Sequence, residues 1–181
     1  MEKRFDVIAL ENPIMDFAIS IDHIPGTDSM AKLFDYMWQG GGNASNAIVA
    51  LARLGARTAY IGVAGDDECG TFCKDDFARH GIDVSHLYQY PGPNTVTFCL
   101  AEKETKGRSF LGKVGVDQEL TDEQIDEAFI ASSKYLHTSM IDSVNKHKAI
   151  EFARKNGVIV SMDGGAWDDE EGPYAIANSD I

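Results

Sequence analysis

Gln39–Gly55, QGGGNASNAIVALARLG, is the stretch from which the fold is read. Gly40, Gly41 and Gly42 run straight into a segment where Ala47, Ile48, Leu51, Ala52 and Leu54 recur at helical spacing, one apolar face of about three turns. Glycine lets a backbone turn with φ > 0 and lets another molecule approach the main chain, so all three are expected to shape the entry to a helix. Gly55 is placed to end that helix as a C′ residue. Such an entry offers unsatisfied N–H groups at the positive end of the helix dipole, which suits an anion or a hydroxyl-rich ligand. Asn43, Ser45 and Asn46 add short side chains that donate and accept hydrogen bonds. A plain strand-to-helix turn would look the same. The run is not a Walker A loop, because no Gly-Lys-Ser/Thr follows, and not G-x-G-x-x-G, because Asn43–Asn46 contain no glycine.

On either side, apolar runs alternate with helical patterns. Phe5–Leu10, Thr58–Val63, Tyr135–Thr138 and Val158–Met162 read as buried strands, and near-continuous apolar runs suit a parallel sheet covered on both faces. Asp66 or Asp67 is placed to cap a helix bearing Cys69, Phe72, Cys73, Phe77 and His80, ended by Gly81. Thr121-x-x-Gln124 is a capping box for a helix burying Ile125, Ala128 and Phe129. Ser143 is placed to cap another, with Val144, Ile150 and Ala153 inward and Gly157 at its end. Strands alternating with helices predict an α/β, doubly wound parallel sheet.

In open sheets of this kind ligands bind beyond the carboxyl ends of strands. Asn12 and Asp16 follow the first strand, and Asp163 ends the last apolar run. Phe17–Ile21 and Lys32–Trp38 read as short strands split by Pro25-Gly26, Val84–Tyr88 as another, and Tyr174–Ile181 as the start of one more. Thr95–Glu102 and Arg108–Leu111 read as a hairpin turning through Lys103–Gly107. Alternation alone does not say which face of a strand is which.

The chain has 181 residues and a net charge of −13. The length allows one domain with a sizeable core, and the acidic balance argues against nucleic acid or an anionic membrane as a partner. Cys69, Cys73 and Cys99 form no Cys-x-x-Cys, and Cys69 and Cys73 read as small core residues, not metal ligands. The five histidines lack His-x-x-x-His spacing and there is no Gly-x-Ser-x-Gly elbow, so zinc and hydrolase readings lack support. No metal site is expected. Unpaired cysteines, with no signal peptide or membrane-length apolar run, predict a cytoplasmic protein.

Gly41-Gly42-Asn43-Ala44-Ser45-Asn46, Leu54-Gly55, Ile61-Gly62-Val63-Ala64-Gly65-Asp66-Asp67 and Gly70 together resemble the first signature of the ribokinase-like (PfkB) sugar kinase family. The resemblance runs from Val7 to Ile181, over a fold usually much longer than this chain. It implies that residues 1–181 are the N-terminal, substrate-binding portion of a sugar kinase domain, truncated before the nucleotide-binding half. It implies a small β-sheet lid, from strands within about 14–38 and 95–111, that covers the sugar and can join two copies as a homodimer. By the same resemblance Asp16, Gly41, Gly42, Asn43, Asn46 and Asn12 bind substrate. Thr95, Phe98, Phe110, Arg108 and Lys113 are candidate lid contacts, and Asp163 is a candidate on the substrate side.

The family moves the γ-phosphoryl of ATP, with Mg2+, to a sugar hydroxyl through a Gly-Ala-Gly-Asp segment that supplies an anion hole and a catalytic base. No such segment occurs here. Val63-Ala64-Gly65-Asp66 lacks the first glycine and lies in the wrong half, so the ATP site and the catalytic residues are expected beyond Ile181, and the fragment alone is expected to be inactive. After Asp163 the family commonly has Pro-Asn and then an arginine, where this chain has Gly164-Gly165-Ala166-Trp167; Asp117 stands where an asparagine is frequent. Asn12–Asp16 also resembles the opening of nucleoside kinases in the same superfamily, an alternative reading. A sugar-binding or dimerisation module without catalysis is another.

Overall fold

The computed structural model describes residues 3–116, 118–139, 144–164 and 177–181. Its elements are β1 (Phe5–Leu10), β2 (Ile14–Ile21), β3 (Leu33–Gly41), α1 (Asn43–Arg53), β4 (Thr58–Gly65), α2 (Glu68–Arg79), β5 (Asp83–Tyr90), β6 (Thr95–Glu102), β7 (Arg108–Lys113), α3 (Glu127–Ala131), β8 (Ser133–Ser139), α4 (Val144–Lys155) and β9 (Ile159–Asp163). Five of the strands form a parallel sheet in the order β5-β4-β1-β8-β9. The chain leaves β1 toward β4 and β5, then returns past β1 to β8 and β9, so β1 lies at the point where the winding reverses.

Both faces of this sheet are covered, as its apolar strands require. On one face Val7, Ala9 and Tyr60 pack against Ala44 and Ile48 of α1 and Phe77 of α2. On the other, Ile8, Leu10 and Leu136 pack against Phe129 and Ile130 of α3 and Ala149, Ile150 and Ala153 of α4. The backbone of the last residues runs along β9. The Met162 amide donates to the Ile181 carbonyl (2.9 Å) and the Ile181 amide to the Val160 carbonyl (3.2 Å), the bonding pattern of a parallel neighbour. Residues 174–176, the start of the strand expected there, lie outside the described residues, as do Asp117, Ser143 and Gly165–Trp167.

β2, β3, β6 and β7 form a second sheet in the order β3-β2-β6-β7, in which only β2 and β6 run parallel. β2 begins at Ile14, three residues earlier than expected, so Asp16 lies within a strand of this second sheet and not in a loop. β3 extends to Gly41 and absorbs two of the three glycines.

Several local expectations are corrected. Leu54 is 84% exposed because it is the C-cap of α1 and not part of its buried face. The Thr121–Gln124 box closes a turn, in which Gln124 Oε1 accepts from the Thr121 amide (2.8 Å). The helix starts later, where the Asp126 carboxylate accepts from the Ala128 and Phe129 amides. That shift turns Ala128 outward and Ile130 inward.

Asp67 caps α2, as its place before an apolar helix suggests. Its Oδ1 accepts from the Gly70 amide (2.9 Å) and its Oδ2 from the Asn94 amide (3.1 Å). Asp67→Ala removes a cap and an interloop tie together. It is expected to cost about 1–2 kcal/mol, measured as a fall of several degrees in the unfolding midpoint.

Candidate functional site

Two chain segments meet at the carboxyl end of β1: the glycine turn between β3 and α1, and the first residues of β2. Register places Ile14 opposite Gly41 and Asp16 opposite Gln39. A Cβ on Gly41 would stand 2.0 Å from Asp16 Oδ2, so the Asp16 carboxylate occupies the space that a side chain there would fill. Gly42 alone of the three glycines has a positive φ (109°); Gly40 and Gly41 are in strand conformation, and Gly41 serves close approach, not turning.

Asp16 is half-buried. Loss of hydration, and then the nearby Glu11 charge, raise its acid above the usual 3.8. Among the described residues none donates a hydrogen bond to its carboxylate. A partly desolvated carboxylate without donors is expensive to hold, so Asp16 is open to donors from outside the chain.

Glu11 is a residue of this candidate site that sequence reading passed over. It is 3% exposed, and its carboxylate lies against the first turn of α1. Oε1 accepts from the Ala44 amide (3.2 Å) and Ser139 Oγ (2.6 Å), and Oε2 from the Ser45 amide and Ser45 Oγ (both 2.9 Å). Ser45 Oγ also bonds Tyr60 Oη (2.7 Å), so the network joins β1, α1, β4 and β8. The N–H groups expected to be free at this helix start are therefore largely spent internally. The available signal was a lone acid ending an apolar strand, Leu10-Glu11, at a site where burying a charge demands partners.

The remaining candidates separate by position. Asn43 and Asn46 are exposed on the first turn of α1, beside the glycine turn. Asn12 Oδ1 accepts from the Val63 amide (2.8 Å), tying the end of β1 to β4, so this atom has a structural task. Residues paired directly across neighbouring strands share a face and alternate along them. Asp16 thus shares its face with Thr95, Phe110 and Arg108, through the pairs Ile14–Thr95, Asp16–Thr97, Cys99–Phe110 and Ala101–Arg108. Phe98 and Lys113 belong to the opposite face, where Phe98 stacks on Phe17 at 4.9 Å between ring centres. Thr95 Oγ1 already accepts from the Gly115 amide (3.0 Å).

Asp163 ends β9 in register with Ser139, one strand away from Glu11. His137, on β8 nearby, has its basicity lowered by burial, against the opposing pull of Glu11 and Asp163. The Gly65-Asp66 segment is engaged with its own loop: Asn94 Oδ1 accepts from the Gly65 amide (3.1 Å), and Asp66 Oδ1 accepts from the Gly92 amide (2.9 Å). It does not offer an anion hole. Burial pushes the Cys73 thiol up to about 12, which keeps it a neutral core group. Among the described residues no group of three or more His, Cys, Asp or Glu is placed to hold a metal, and no helix is long and apolar enough to cross a membrane.

Comparison with known proteins gives the family and the fold. Residues 10–164 match the pfkB family carbohydrate kinases. The chain is 29% identical over 171 residues to a 5-dehydro-2-deoxygluconokinase of Clostridium perfringens, covering 90% of this chain and 49% of that protein. It is 28% identical over 167 residues to an ATP-dependent ribose-1-phosphate kinase of Halopiger xanaduensis, covering 92% of this chain and 56% of that protein. The fold matches that of Arabidopsis thaliana ribokinase, solved with ribose and ATP, at a TM-score of 0.78 and 15% identity, covering 92% of this chain and 55% of that one. The chain thus spans about half the length of the curated relatives it matches.

Proposed function

The chain belongs to the pfkB family of carbohydrate kinases, and on that premise we propose that it forms the sugar-binding half of an enzyme that phosphorylates a sugar hydroxyl with ATP. The observation that carries this reading is the half-buried Asp16 carboxylate, set against Gly41 beside the glycine turn and lacking any described donor. Sugar hydroxyls supply two or more donors in a fixed geometry, and hydrogen bonds to a carboxylate are stronger than those between neutral groups. Gly41 lets the Asp16 carboxylate lie close against the backbone of the turn, while Asn43 and Asn46 at the first turn of α1 offer polar contacts to the sugar. The second sheet acts as the lid, presenting Thr95, Phe110 and Arg108 on the Asp16 face.

Phosphoryl transfer also needs a base and groups that stabilise charge on the moving phosphoryl. We assign those, together with ATP and Mg2+, to sequence beyond Ile181. The exposed Tyr36, Trp38 and Leu111, on the face of the second sheet opposite Asp16, support a homodimer through the lid, since large exposed apolar patches tend to be interaction sites. The three unpaired cysteines support a cytoplasmic location. The nucleoside alternative rests on the Asn12–Asp16 opening, in which the Asn12 side chain accepts from the Val63 amide and the Pro13 carbonyl accepts from Asn94 Nδ2 (3.0 Å).

The test is ADP release by the complete protein with D-ribose, D-fructose and adenosine, run beside residues 1–181 alone. The complete protein is expected to turn over a sugar, with residues 1–181 inactive. Turnover by residues 1–181 would refute the division between the halves. Turnover of adenosine alone would turn the reading to a nucleoside kinase, and binding without turnover by the complete protein to a non-catalytic module.

A further inference from the structure

We infer that Glu11 is a built-in anion that occupies the start of α1, holds the glycine turn in place, and reserves the site for uncharged, hydroxyl-bearing groups of the substrate. The specificity half of this inference rests on the sugar-binding reading; the positioning half does not.

An open helix start attracts carboxylates and phosphates, because its first amides lack partners and lie at the positive end of the dipole. In α1 the Asn46 amide already bonds the Gly42 carbonyl (2.9 Å). The Ala44 and Ser45 amides are spent on Glu11, leaving Asn43 at the first turn. Ser45 and Ser139 complete the set of donors, and both are 1% exposed, so the carboxylate is enclosed and water does not compete for it. Gly42 is cut to fit: a Cβ there would stand 2.4 Å from Glu11 Oε2. The Tyr60 hydroxyl, fully buried, locks Ser45 from below.

The charge of the site follows. Glu11 and Asp16 both flank the glycine turn, and among the described residues no Lys or Arg forms an ion pair with either. An incoming carboxylate or phosphate would meet two acids and find the helix amides taken. A hydroxyl meets an acceptor in Asp16. A charged group elsewhere on the substrate is tolerated only where it projects away from this turn. Glu11 is a positioning residue: it acts through α1 and the turn, without touching the sugar.

The experiment uses Glu11→Ala and Glu11→Gln in the complete protein. Glu11→Ala opens the helix start, so sodium acetate is expected to raise its unfolding midpoint above that in sodium chloride of equal ionic strength, with no such difference for the wild type. Equal midpoints in the two salts would overturn the occupied helix start. Glu11→Gln keeps the shape and removes the charge. In calorimetric titrations the wild type is expected to bind D-fructose more tightly than D-gluconate, and Glu11→Gln to shift that ratio about tenfold toward the acid. An unchanged ratio would overturn the specificity half. A wild type that binds neither, nor D-ribose, would overturn the sugar-binding reading and the specificity half with it, while the acetate measurement still decides the positioning role. Should Glu11→Ala not fold, a midpoint for Glu11→Gln equal to that of the wild type would itself overturn the positioning role.

Discussion

Asp16→Asn is expected to lower sugar affinity roughly 100-fold or more while leaving the fold intact. The magnitude follows from losing charge assistance on two hydroxyl hydrogen bonds, each contributing about 1.5–3 kcal/mol with an ionised partner. Isothermal titration of wild type and variant with the sugar turned over in the panel measures it. Stability moves the other way. The Asp16 acid is raised in the folded protein, first by burial and then by the Glu11 charge. A raised carboxyl binds its proton more tightly folded than unfolded, so the fold gains from protonation. That gain is present at low pH and is lost as pH rises from about the ordinary value of 3.8 through the raised value. At neutral pH the ionised side chain burdens the fold, and Asp16→Asn is expected to melt at or slightly above the wild type. Wild-type sugar affinity is expected to fall on acidification at a higher pH than for an ordinary carboxylate, and the affinity of Asp16→Asn to stay flat over that range. A variant that kept wild-type affinity would remove Asp16 from the site. Gly41→Ala provides the companion measurement: its Cβ would meet the same carboxylate and displace it, with an expected loss of affinity in the same direction.

Gly62→Ala is expected to be strongly destabilising. Its Cβ would stand 2.0 Å from the Glu11 carbonyl oxygen and 3.0 Å from the Glu11 carbonyl carbon. Both are backbone atoms of the neighbouring segment, where the Glu11 amide donates to the Ile61 carbonyl (3.1 Å). Nothing flexible can yield, so the end of β1 must part from β4. Overpacking a close-packed interior costs about 1–3 kcal/mol, and rigid neighbours put this site at or above the upper end. The unfolding midpoint is expected to fall by about 10 °C, from roughly 2–4 °C per kcal/mol for a chain of this size. Moving Glu11 also disturbs the start of α1, so sugar affinity falls as well. Gly55→Ala is the control: its φ is positive but nothing lies within 4 Å of the added Cβ, so the cost is limited to backbone strain of about 1 kcal/mol. Equal midpoints for the two variants would show that the β1–β4 approach is not tight.

What was legible in the sequence was local. β1 falls on Phe5–Leu10 as its unbroken apolar run predicts, and β4, β8 and β9 lie within a residue or two of their expected limits, because burial on both faces of a parallel sheet leaves that run as its mark. The α1 pattern and a cap at Asp66 or Asp67 were readable for the same reason: a helix turn and its cap involve residues three or four apart; the structure selects Asp67. α3 misled because two capping signals stand close together, Thr121 and Asp126, and only packing selects the second.

The candidate site was partly legible. Asp16 and the glycine turn could be named from the family resemblance, but not the way they meet, which depends on the β2–β3 register.

By itself the sequence determined the α/β class, the glycine-led helix and the identity of the residues at strand ends, since each depends on periodicity and near neighbours along the chain. Only the tertiary structure decided the surroundings of those residues. Glu11 finds Ser45 across 34 positions of sequence and Ser139 across 128. The Asp16 carboxylate fills the space that Gly41 leaves, and Phe98 is turned away while Phe110 shares the Asp16 face. A strand's alternation defines two faces without saying which is covered, and a buried charge says that partners exist without saying where. Both are settled when separate strands come into register, because register sets side-chain facing and burial makes every unpaired polar group costly.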